Sequence, residues 1–67
     1  MTTTEYTVTG MTCQHCVASV TEEVSELLGV TAVEVDLASG ALRVTGDVTD
    51  EQVEAAVAEA GYAATTA

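Results

Sequence analysis

The side chains with the greatest chemical capacity in this chain lie together, in the run Gly10-Met11-Thr12-Cys13-Gln14-His15-Cys16. A Cys-x-x-Cys pair at the point where a loop enters a helix puts both sulfurs on one side of the first turn, close enough to hold a single ion. The helix start also offers free backbone N–H groups and the positive end of the helix dipole, which favour thiolate over thiol. A soft metal needs thiolates, because the thiol proton has to leave before the metal binds.

Competing chemistries are narrowed by what the chain lacks. A zinc ribbon or an iron–sulfur cluster uses four ligands, usually four cysteines, and this chain has two. His15 sits between the cysteines, where a shared tetrahedral site is strained. A thioredoxin-like redox site also opens a helix with Cys-x-x-Cys after a strand. Those folds are longer and depend on a cis-proline beside the active site, whereas this sequence contains no proline. Two thiolates with no further strong ligand suit an ion of low coordination. Cu(I) is soft and accepts two sulfurs in a line; Zn(II) prefers four ligands. Such a site stays open to a third sulfur from another protein, which serves hand-over better than storage. A small thiol–disulfide oxidoreductase is the alternative.

Three neighbours bear on the site. Met11 is read as a buried support of the loop in preference to a third soft ligand. His15, forced onto the exposed start of the helix, is a metal ligand or a tuner of the thiolates, or else an uninvolved surface residue. Tyr62 is read as an aromatic at the rim of the core with its hydroxyl in water, a contact with the sulfurs being the lesser alternative.

The elements that must position these residues follow from periodicity. Residues 5–10 alternate, with Tyr6 and Val8 on one face and Thr7 and Thr9 on the other, as in a half-buried strand ended by Gly10. A helix starting near Cys13 to Cys16 carries Val17, Val20, Val24, Leu27 and Leu28 on one stripe and Glu22, Glu23 and Glu26 outside, with Gly29 placed to stop it. Residues 30–37 read as a second strand with Val33, Val35 and Leu37 inward. The Ala38-Ser39-Gly40 turn leads to a third strand over 41–45, through Leu42 and Val44, completing a hairpin. Gly46 breaks it. Thr49 and Gln52 form a capping box before a second helix through Val53, Ala56, Val57 and Ala60, closed by Gly61. Residues 62–65 form a short last strand. The order βαββαβ is that of an α+β, ferredoxin-like sandwich: a four-stranded antiparallel sheet with two helices on one face.

At 67 residues the chain is read as a single domain, 1–67. A domain this small buries only ~60% of its unfolded surface, so its stability without metal is expected to be marginal. Without Phe or Trp, the core must come from Val, Leu and Ala around Tyr6 and Tyr62. Eleven carboxylates face one Arg43, for a net charge of −10. That surface repels phosphate backbones and anionic headgroups, which excludes nucleic acid and membrane surfaces and suits a basic protein face or a cation. No stretch is long enough to span a bilayer and the first seven residues lack a signal-peptide pattern, so the chain is expected in the cytoplasm. Cysteines in a reducing compartment serve as ligands or redox groups more than as staples.

The run Gly10-Met11-Thr12-Cys13-x-x-Cys16 resembles the GMTCxxC signature of the heavy-metal-associated domain family. The resemblance covers essentially the whole chain, including the acidic helix after the cysteines and Ala60-Gly61-Tyr62 before the last strand. The Gln14-His15 pair is similar to that of bacterial CopZ-like copper chaperones. The family's eukaryotic copper chaperones have a Lys near the metal where this sequence has Tyr62. The resemblance implies Cu(I) held by Cys13 and Cys16, with Met11, His15 and Tyr62 around them. It also implies delivery to the metal-binding domain of a copper-exporting P-type ATPase or to a copper-responsive repressor. The chain itself is expected to be a monomer that excess copper could bridge into a dimer. Mercury- and zinc-handling relatives share the motif.

Overall fold

The computed structural model describes residues 2–67 and contains β1 (Thr3–Thr9), α1 (Gln14–Ser25), β2 (Val30–Asp36), β3 (Ala41–Gly46), α2 (Asp50–Glu59) and β4 (Ala63–Thr66). The strands form one antiparallel sheet in the order β2-β3-β1-β4, which puts β1 and β3 inside and β2 and β4 at the edges. Alternation along the interior strands turns Tyr6, Val8, Leu42 and Val44 toward the helices, where they pack against Val20 and Val24 of α1 and Val53 and Val57 of α2. This is the ferredoxin-like sandwich. Among the described residues no helix is long and apolar enough to cross a membrane.

Local chemistry sets the element ends. The Thr49 hydroxyl accepts from the Gln52 N–H at 3.1 Å while the Gln52 side-chain oxygen accepts from the Thr49 N–H at 2.9 Å, which caps α2 reciprocally. Asp50 and Glu51 in its first turn add favourable charge. Asp36 closes the β2–β3 turn, accepting from the Ala38 N–H at 3.0 Å and the Ser39 hydroxyl at 3.1 Å. The Gly40 carbonyl then accepts from the Val8 N–H at 2.7 Å, tying the hairpin to β1. Because β1 runs antiparallel to β3 and β4, the β1–α1 loop, this hairpin and the α2–β4 loop all meet at one end.

The structure departs from the sequence reading at several ends. β1 begins earlier, at Thr3, because Thr3 and Thr4 pair with Thr45 and Val44. α1 stops at Ser25 instead of running to Gly29. The Ser25 hydroxyl donates to the carbonyls of Thr21 and Glu22, a local bond that competes with helix continuation. Leu28 therefore leaves the apolar stripe and stands 92% exposed, while Leu27 and Val17 are half-buried. Glu23 is also half-buried, lining a groove beside α2 and not the outer face. Leu37 belongs to the turn, and β4 spans 63–66, so Tyr62 precedes it in the loop.

Tyr6 fastens the two halves together. Its ring is 1% exposed and its hydroxyl donates to Asp50 Oδ1 at 2.8 Å, joining β1 to the start of α2. Burial, followed by the Asp50 carboxylate, pushes the phenol up to about 12. The neutral phenol is thus the form the fold favours, so this contribution is intact below ~10, the ordinary tyrosine value, and fades as pH climbs toward 12. Tyr6→Phe should lower unfolding free energy by ~1 kcal/mol, measured by urea denaturation at neutral pH. The same variant should lose less stability than wild type between pH 10 and 12.

Candidate metal centre

Cys13 is the N-cap of α1, in extended backbone with φ −158° and ψ 174°, and its side chain makes no capping hydrogen bond. The Cys16 and Val17 N–H groups bond back to the Cys13 carbonyl at 3.1 and 3.3 Å, so the backbone turns through one helical turn between the cysteines. This leaves Cys13 exposed and Cys16 only 8% exposed, with the sulfurs 3.5 Å apart. A disulfide would require ~2.05 Å, so the two thiols are free. Unlike α2, α1 has no acidic residue in its first turn, and its positive end faces the sulfurs alone.

The two sulfurs differ in surroundings. Cys16 Sγ accepts from the Thr12 N–H at 3.5 Å, and the Thr12 hydroxyl lies 3.8 Å away. The Thr12 N–H is the main cause that draws the Cys16 thiol down to about 6. The Tyr62 hydroxyl adds to it, and Cys13 contributes through its side chain and backbone, against an opposing effect of burial. The nearby Cys16 sulfur in turn raises the Tyr62 phenol above its ordinary range, burial adding to it. A thiolate at Cys16 is therefore stabilised mainly from the loop before the helix.

Tyr62 reaches the site because α2 ends in a Schellman motif. The Gly61 N–H bonds to the Ala58 carbonyl at 2.9 Å and the Tyr62 N–H to the Val57 carbonyl at 3.1 Å. Gly61 supplies the required φ of +96°. The chain turns back, and the ring is laid against Gly10, where an added Cβ would come 3.3 Å from Tyr62 Cδ1. Gly10 thus combines the left-handed turn out of β1 with room for the aromatic ring.

The structure brings Cys13, Cys16 and Tyr62 together. Met11 is half-buried and packs on the core, as a support of the loop. His15 is exposed on the first turn of α1. Two influences on Cys16 bear on the sequence reading. Thr12 goes beyond it, since its contribution is a backbone N–H whose direction depends on the loop. Tyr62 follows its lesser alternative, its hydroxyl helping to lower the Cys16 thiol, and the Ala60-Gly61 helix stop just before it was the available signal. Among the described residues, no group of three or more His, Cys, Asp and Glu side chains converges as a metal site, so the sulfurs stand without a third such ligand.

Residues 5–63 match the profile of the heavy-metal-associated domain. The chain belongs to that family. The copper chaperone CopZ of Bacillus subtilis (strain 168) is 43% identical over 58 residues, covering 82% of this chain and 84% of its own. A copper-binding domain from HMA7, a P-type ATPase, superposes with a TM-score of 0.96 at 30% identity, over 100% of this chain and 95% of its own. The CopZ metallochaperone superposes with a TM-score of 0.91 at 30% identity, over 96% of this chain and all of its own. This heavy-metal-associated domain is therefore similar both to free chaperones and to an ATPase module.

The Cys16 environment sets a pH signature. A thiol that ionises at about 6 when folded, below the ordinary ~8.5, favours the folded state increasingly as pH rises between those values, and the benefit is lost below 6. Thiolate absorbance of the reduced, metal-free protein should show a transition centred near 6, and Tyr62→Phe should move it upward. Denaturation across the same range should show stability rising with pH.

Proposed function

We propose that this heavy-metal-associated domain is a cytoplasmic Cu(I) metallochaperone, binding one ion between Cys13 and Cys16 and passing it to a partner by ligand exchange. The observation that carries the reading is the unequal sulfur pair: one buried and accepting from the Thr12 N–H, one exposed, 3.5 Å apart. A linear two-sulfur arrangement needs the sulfurs farther apart than 3.5 Å, which the exposed Cys13 side chain can supply by rotating outward. Similarity to named copper chaperones supports copper as the cargo.

Transfer needs no free ion. An incoming thiolate adds to the bound Cu(I) to give a three-sulfur intermediate, and one of the original sulfurs then leaves. Similarity to a P-type ATPase copper-binding domain supports such a domain as the partner, with a copper-responsive repressor as a second recipient, each met in passing by a monomer; excess copper bridging two chains is a side reaction of the same open site. This chain can contribute only negative charge to the encounter, so the recipient's face around its own cysteines is basic. Glu22, exposed and six residues past Cys16, lies ~9 Å along α1 from the site. His15 tunes the sulfurs without being an essential ligand.

Titration of the reduced protein with Cu(I) against a competing chelator should give one ion per chain, and either Cys13→Ser or Cys16→Ser should abolish that tight site. Cu(I) at about 100 times its dissociation constant should add ~2.7 kcal/mol of stability, read as a raised melting temperature. Disulfide reductase activity without Cu(I) binding would favour the oxidoreductase instead. In stopped-flow transfer to a recipient domain, the rate should fall with added salt and with Glu22→Lys, while Cu(I) affinity stays unchanged.

A further inference from the structure

We infer that the outer edge of β2 is a docking site for an extended segment of a protein partner, one that alternates apolar and basic side chains and adds to the sheet as a further strand. The hydrogen-bond pattern fixes which backbone groups are on offer. The Val8 N–H donates to the Gly40 carbonyl at 2.7 Å and the Gly46 N–H to the Thr2 carbonyl at 3.0 Å, so even-numbered residues along β3 bond toward β1. The odd-numbered Ala41 and Arg43 therefore bond toward β2, where their partners are Asp36 and Glu34. Val33 and Val35 alternate with these, so their N–H and C=O groups point away from β3, along the free edge.

The two sides of that edge differ. On the helix side Val33 and Val35 are half-buried, as is Val17 on the flank of α1 turned away from α2, so an added strand covers an apolar row. On the open side Glu34 and Asp36 are exposed and border a shallow pocket of about 220 Å³ that Ala41 also lines. Arg43, the sole Lys or Arg, bonds Glu5 Oε1 at 2.9 Å, and among the described residues no salt bridge reaches Glu34 or Asp36. Apolar residues on one side and carboxylates on the other call for the same alternation in the partner, with basic residues opposite Glu34 and Asp36. A second copy does not fit, because β2 paired with itself sets carboxylates beside carboxylates. The irregularity between Val30 and Ala32 lies outside this stretch. The other edge, β4, carries only Ala and Thr and selects no such partner.

The test is a heteronuclear NMR titration of the reduced protein with the acetylated, amidated peptide Thr-Lys-Val-Lys-Val-Thr. Two control peptides accompany it, one with both valines N-methylated and one with glutamine for both lysines. The lysine peptide should shift the Val33, Glu34 and Val35 amides saturably and slow hydrogen exchange at Val33 and Val35 by about tenfold or more. N-methylation removes the donors that a ladder requires while keeping the charge, and should weaken binding by about tenfold or more. The glutamine peptide keeps the donors without the charge and should bind about threefold more weakly. In the protein, Glu34→Gln should weaken binding of the lysine peptide about threefold, and Glu23→Gln on α1 less than about 1.5-fold. Equal affinity for either control peptide, shifts confined to the helices, an effect of Glu23→Gln as large as that of Glu34→Gln, or no saturable binding overturns the inference.

Discussion

The Cys16 sulfur is held by groups from segments far apart in the chain. Thr12 donates from the β1–α1 loop and Cys13 approaches from the helix cap, while the Tyr62 hydroxyl of the α2–β4 loop helps lower the thiol. A peptide containing only the Cys-x-x-Cys run could reproduce the second of these and not the last. The sheet supplies the rest: antiparallel pairing of β1 with β3 and β4 returns each connection to the same end. The buried valines fix how far apart those connections sit. The pair of sulfurs thus depends on a core built from small aliphatic side chains and one tyrosine.

The helices illustrate a division between stability and chemistry. α2 begins with a reciprocal capping box and two acidic residues, all of which favour its formation. α1 begins with neither, and its N-cap side chain is a thiol that bonds no helix N–H. A serine at Cys13 could cap the helix better and would remove a sulfur. Local stability at that end is forgone so that the dipole and the free N–H groups act on thiolates.

Much of this was legible in the residues themselves. Tyr6 and Val8 alternate as a strand facing the core, the Thr49/Gln52 box caps α2 as read, and the Cys-x-x-Cys opens α1. Legibility failed where a helical period continued past the helix. Leu28 fits the apolar stripe by spacing, yet α1 ends three residues before it and no face remains for it to join. Glu23 reads as outward on an isolated helix and is half-buried only because α2 lies alongside. The donors to Cys16 were hidden for a related reason. A backbone N–H has no residue type to betray it, and Tyr62 acquires its partner through a turn made elsewhere.

Arg43 occupies the middle of β3, opposite Glu5 on one side and Glu34 on the other. As the only Lys or Arg in the chain, it also defines the only bond trypsin can cut, Arg43–Val44. That bond lies in an interior strand paired along both edges, with Leu42 and Val44 buried on either side of the arginine. A protease needs an extended, unpaired segment, so fraying at the edge strands or opening of the metal loop does not expose it. Tryptic cleavage therefore counts only the openings that separate β3 from its neighbours. One protease, one bond and two fragments turn the lone cation into a built-in gauge of global unfolding, with or without metal.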